Sequence, residues 1–117
     1  MTQQTGCFSG NTKILTDRGY IRLDELPSMF TVINHTGKHQ ARVIVHQNNA
    51  EILYRMGDGF STASQPFKIG NRWVPASDVL HEIIFMNPRT VYDIEVASKN
   101  PDDHHYLLDN GLTAHTK

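Results

Sequence analysis

Hydrophobic and polar residues alternate in short runs along this chain, and turn residues cut the runs at close intervals. Lys13-Ile14-Leu15-Thr16 predicts a strand closed by the turn Asp17-Arg18-Gly19, with Tyr20-Ile21-Arg22 returning as its hairpin partner. Leu23-Asp24-Glu25-Leu26, just before Pro27, predicts a single helical turn with both leucines inward. Phe30-Thr31-Val32-Ile33 predicts the next strand, followed by the turn-rich Asn34-His35-Thr36-Gly37-Lys38. In the strand expected over 41–46, Ala41, Val43 and Val45 share one face and Arg42, Ile44 and His46 the other, and Asn48-Asn49 is expected to break it.

The second half repeats the style. Gly57-Asp58 predicts a tight reversal between strands over 51–56 and 59–62, and Gly70-Asn71 another between 66–69 and 72–74. Residues 75–80 predict a second short helix. Strands are expected over 81–86 and 90–96, with Asn87-Pro88-Arg89 interrupting, and a polar loop over 99–103. Residues 104–108 and 112–115 flank the turn Asp109-Asn110-Gly111. Helical periodicity never persists beyond about two turns, so the expected fold class is all-β with very short helices.

Composition narrows the function classes. A chain of 117 residues with no visible linker predicts one domain with one modest core. Eleven basic residues stand against twelve acidic ones, which argues for neither a nucleic-acid partner nor an anionic membrane. No apolar run approaches the roughly 18 residues of a spanning helix. Residues 1–6 have no apolar region of the kind a secretory leader needs and read as a flexible lead. A single cysteine is compatible with a reducing compartment, and the expected setting is cytoplasmic.

That cysteine, Cys7, directs attention to the chemistry. A lone thiol makes neither an internal disulfide nor a thiolate metal cluster. It is a small buried filler, a reactive surface group, or a nucleophile activated by its surroundings. Gly6 before it has no side chain to shield its carbonyl from that thiol. Acyl transfer needs a nucleophile, a group that polarises the scissile amide, and a group that moves protons. Cys7, Thr62, Asp93, His105 and His115 supply these types if the strands bring them together. A metal site is the competing use of the histidines. His104 and His105 face opposite ways on a strand, His115 can approach one of them across the Asp109-Asn110-Gly111 turn, and Asp93 would complete a mixed site, but no compact ligand spacing supports it. No metal and no organic cofactor is expected. The bland alternative places Asp93 in a turn or ion pair, Thr62 at a strand end and His115 at a frayed terminus.

The run Gly6-Cys7-Phe8-Ser9-Gly10-Asn11-Thr12-Lys13-Ile14-Leu15-Thr16, with Gly19-Tyr20-Ile21 and Leu23-Asp24-Glu25-Leu26 after it, resembles the first motif of the Hedgehog/intein superfamily, the Hint domains. Val91-Tyr92-Asp93-Ile94-Glu95-Val96 and the run from His104 to His115 resemble the late motifs, and Thr62-Ala63-Ser64-Gln65 the central Thr-x-x-His. The resemblance covers nearly all of 7–116 in the right order and is closest to inteins and bacterial intein-like domains. It implies a compact horseshoe of strands with pseudo-twofold halves over 7–117, preceded by an upstream flank at 1–6, in a monomer. It also implies an N-to-S acyl shift. The Cys7 thiol attacks the Gly6 carbonyl, and the thioester passes to water, a thiol, an amine or a side chain of the downstream flank. The chain's own flanking peptide is then the substrate, in a single-turnover reaction.

By the same resemblance, Thr62 holds the scissile amide, Asp93 tunes the cysteine or moves protons, and His105 and His115 serve C-terminal cleavage. Two positions depart from the pattern. Gln65 replaces the central histidine and has no proton to give near neutral pH. Thr116 replaces the terminal asparagine whose side-chain amide cuts the C-terminal junction, so standard splicing is not expected, and only Lys117 follows. A catalytically silent Hint domain serving as a structural or interaction module is the alternative expectation.

Overall fold

The computed structural model describes residues 7–49, 53–84 and 89–116, with the side chains of 47–49, 84 and 89 left aside. The expected flank at 1–6, its Gly6 carbonyl and parts of the strands expected over 51–56 and 81–86 lie outside the described residues.

The first sheet contains β1 (Lys13–Thr16), β2 (Gly19–Arg22), β3 (Met29–Asn34), β4 (Gly37–Asn49) and β10 (Arg89–Val96), in the order β10-β4-β3-β1-β2. The second contains β7 (Pro66–Ile69), β8 (Arg72–Pro75), β11 (His105–Leu107) and β12 (Thr113–His115), in the order β11-β12-β7-β8. The third contains β5 (Leu53–Met56), β6 (Gly59–Thr62) and β9 (Ile83–Ile84), in the order β6-β5-β9. Among the described residues, helix is limited to one-turn pieces at Leu23–Glu25, Ala76–Val79 (α1) and Pro101–Asp103. The all-β expectation with very short helices holds. The reversals at Gly57 and Gly70 need backbone φ values of 60° and 62°, which glycine adopts without a steric penalty.

β4 is where the structure departs most from the local pattern. It begins at Gly37, inside the expected turn, and continues through Asn48-Asn49 to 13 residues. Pairing with β10 overrides the weak strand propensity of the asparagines: Ala41 faces Val96, the register runs on to His46 opposite Val91, and a bulge shifts it before Asn49 meets Arg89. β3 pairs with β4 only from Asn34↔Gly37 to Met29↔Arg42. Beyond that point β10 is the strand that β4 pairs with among the described residues. Val45, on the same strand face as Ala41, is therefore 49% exposed, whereas Ala41 is buried.

Phe8 ties the sheets together. It bridges Ser61 of β6 on one side and Tyr92 of β10 on the other. Its buried ring meets Phe67 of β7 and Tyr106 of β11 edge-on, at centroid distances of 5.8 and 6.1 Å. Ile14 bridges Leu108, linking the first sheet to the end of β11. Leu23, Val32, Ile94 and Ala114 complete a single core. The radius of gyration, 13.1 Å, is that of one compact domain of this length.

Candidate functional site

The backbone pairs of Phe8 determine where Cys7 lies. Phe8 exchanges both main-chain hydrogen bonds with Tyr92, at 2.8 and 2.7 Å. Continuing this antiparallel register by one residue brings Cys7 beside Asp93, at a position where opposing side chains approach most closely. On the other side the Thr62 N–H donates to the Cys7 carbonyl at 2.9 Å, and the Cys7 N–H donates to Thr62 Oγ1 at 2.8 Å. Cys7, Thr62 and Asp93 are all buried. Three of the residues singled out in the sequence therefore meet around the Cys7 nitrogen and sulfur.

A fourth group joins them. His46 lies opposite Val91 on β4, and Ile44 lies opposite Asp93, so His46 and Asp93 are diagonal neighbours on one face. The Cys7 sulfur, a His46 ring nitrogen and an Asp93 carboxylate oxygen lie within 4.8 Å of one another. Asp93 Oδ1 also accepts from the Ile94 N–H at 2.7 Å. Among the described residues no fourth histidine, cysteine or carboxylate joins the group, whereas a closed structural metal site takes four protein donors. Sequence reasoning placed His46 on a face with Arg42 and Ile44 but gave it no role. The missing signal was the pairing of β4 with β10. Tyr106 of β11 approaches from the core: burial pushes its phenol well up, and the Asp93 and Cys7 charges add to the effect.

Gln65 is fully buried after the Thr62–Gln65 turn, whose main-chain bond runs from the Gln65 N–H to the Thr62 carbonyl at 3.3 Å. Its side-chain amide donates to the Pro66 and His115 carbonyls, each at 3.0 Å. Both partners are pure acceptors, which fixes the NH₂ end of the amide. The residue that replaces the expected histidine thus tethers the central turn to the last strand.

His105 and His115 are directly opposite in the β11–β12 register. They line a cleft of about 470 Å³ with His35, Lys68, Trp73 and His104, and none of Cys7, His46, Thr62 or Asp93 lines it. The expected approach of His115 to one of the paired histidines occurs, while Asp93 lies in the cysteine cluster instead. His105 Nε2 accepts from the His35 N–H at 3.2 Å, and its ring stacks on His35 at 5.4 Å. That bond leaves the ring proton on Nδ1. Burial, then the His35 charge, lowers the His105 pKa; burial, then His104, lowers that of His115. His115 also meets the Trp73 ring edge-on at 4.9 Å. Thr116 is buried, with its N–H donated to the His104 carbonyl at 3.0 Å.

No protein-family description matches this sequence, and no curated protein matches it. Solved structures do match. The gp41-1 intein superposes with a TM-score of 0.68 at 16% identity, covering 97% of this chain and all of that one. The bacterial intein-like domain from Clostridium thermocellum gives 0.68 at 19%, again over 97% of this chain and all of that one. A DnaB intein from Synechocystis sp. PCC 6803 gives 0.63 at 17%, over 96% of this chain and 99% of that one. At these identities the match speaks for architecture, and it spans nearly the full length of both partners each time: the chain has the fold of inteins and bacterial intein-like domains, the Hint fold.

Proposed function

We propose that this domain cuts or transfers its own N-terminal flank by an N-to-S acyl shift at the Gly6–Cys7 bond. The observation that carries the reading is the hydrogen bond from the Cys7 N–H to Thr62 Oγ1, beside a sulfur clustered with His46 and Asp93. In the shift the thiol loses its proton and attacks the Gly6 carbonyl carbon. The carbon–nitrogen bond then breaks and the nitrogen gains a proton, leaving a thioester and a free α-amine on Cys7. Thr62 orients the scissile amide, and Asp93 provides a negative charge beside the proton-transfer group. The thioester is open to water, an external thiol or an amine. His105 and His115 are assigned to the C-terminal side, where Thr116 offers no amide for cyclisation. The domain comprises residues 7–117, with 1–6 as substrate.

The test is release of the 1–6 peptide by hydroxylamine or an excess of small thiol, followed by intact mass. Loss in the wild type and retention in Cys7→Ala support the reading. An unchanged wild-type mass across several pH values overturns it. One observation favours a silent interaction module instead: the Gln65 amide is committed to two backbone carbonyls, a structural rather than acidic use.

A further inference from the structure

The acyl shift, on the reading above, needs a group to carry a proton from sulfur to nitrogen. Gln65 has no acidic hydrogen, and its NH₂ is held by Pro66 and His115. His105 gives its Nε2 lone pair to the His35 N–H and faces the other cleft with His115. His39 bonds Thr36 near Asp103, and His104 bonds the Ser98 carbonyl. His46 is the histidine whose ring the fold brings to the Cys7 sulfur.

We propose that His46 is the catalytic acid and base for Cys7, taking over the proton transfer that Gln65 cannot perform. The neutral His46 imidazole accepts the Cys7 Sγ proton, and the thiolate forms a bond to the Gly6 carbonyl carbon. As the carbon–nitrogen bond breaks, the imidazolium returns the same proton to the departing Cys7 nitrogen. No net proton or electron is consumed, and no co-reactant is needed. Asp93, diagonal to His46 across β4 and β10, stabilises the imidazolium in between. The buried Tyr106 phenol also faces this cluster, and burial keeps it neutral. Arg42 and Glu95, further along the same strand faces, neutralise each other at 2.7 Å.

The experiment uses the full chain with a chelator present, as wild type, His46→Gln and Cys7→Ser. Thiolate absorbance near 240 nm is followed against pH, with Cys7→Ser as the blank, beside hydroxylamine release of the 1–6 peptide. The proposal expects the thiolate to appear about one pH unit lower in wild type than in His46→Gln. It also expects release to slow at least ~100-fold in the variant and to recover partly with added imidazole. A folded His46→Gln protein with an unshifted thiolate titration and an unchanged release rate overturns it. Where the wild type releases nothing, the acyl shift fails, and the titration alone decides His46: a shifted curve supports the proposal and coincident curves overturn it. Should His46→Gln not fold, the coupling is read from the other side, by the NMR titration of the His46 ring in wild type and Cys7→Ser. Displaced curves support the proposal, and superimposable ones overturn it.

Discussion

The Cys7 N–H donates to Thr62 Oγ1 at 2.8 Å, at the place where a regular ladder would use the Thr62 carbonyl. That carbonyl is turned instead to the Gln65 N–H and the Ser61 hydroxyl, at 3.3 and 3.0 Å. A side-chain oxygen thus completes the backbone pairing of the residue carrying the thiol. Thr62→Val removes the acceptor and leaves a buried N–H without its partner, a loss of about 1–3 kcal/mol. The expected result is a fall of roughly 10- to 100-fold in hydroxylamine release, with Thr62→Ser retaining most of the rate. Equal rates for Thr62→Val and wild type would remove Thr62 from the reaction.

Gln65 makes a separable prediction. Gln65→Leu strips two half-buried carbonyls of their donor, one of them on the last strand, and is expected to cost about 2 kcal/mol. In a domain of this size that lowers the melting temperature by roughly 8 °C. Gln65→His loses some of the same tether but supplies an ionisable ring, and the expected outcome is faster release despite a lower melting temperature. A slower Gln65→His would show that the tether matters more to the reaction than the missing acid.

Stability is expected to depend on pH through the second histidine pair. Burial lowers the pKa of His105 and of His115, so between their folded values and the unfolded value of about 6.5 the unfolded chain binds more protons. Stability therefore rises with pH through that window and falls on acidification from about pH 7. Melting temperature measured from pH 7.5 downward should drop, and His105→Gln or His115→Gln should flatten the slope. A melting temperature that rises on mild acidification would contradict the sign.

Phe8 couples the cysteine to the core, and the sequence shows only half of that relationship. Its ring contacts Phe67 and Tyr106, and Phe8→Ala is expected to destabilise the fold by about 3–5 kcal/mol, read by urea unfolding. Loss of under 1 kcal/mol would mean that the core closes without it.

The alternation of short runs was enough to read the hairpins around Gly57 and Gly70, and the motif order was enough to read the fold. Cys7, Thr62 and Asp93 were legible as a set because each stands in a recognisable motif. His46 was not, although its face was read correctly: its cross-strand neighbour depends on the pairing of β4 with β10, residues some 45 apart in sequence, which alternation cannot reveal. The length of β4 was missed for the same reason, since local asparagines argued for a break and a distant partner strand prevented one. In the sequence Gln65 shows only a missing acid, because its tether to His115 depends on the β7–β12 pairing.

If Cys7 takes the acyl group of Gly6, that group can be captured on an added nucleophile. The full chain is incubated with a peptide bearing an N-terminal cysteine, and the products are sequenced by mass spectrometry. The expected products are residues 1–6 joined through Gly6 to the added peptide and a complementary fragment beginning at Cys7, with neither product from Cys7→Ala. Prolonged incubation that leaves the Gly6–Cys7 bond intact, or equal cleavage in Cys7→Ala, would contradict acyl transfer to Cys7.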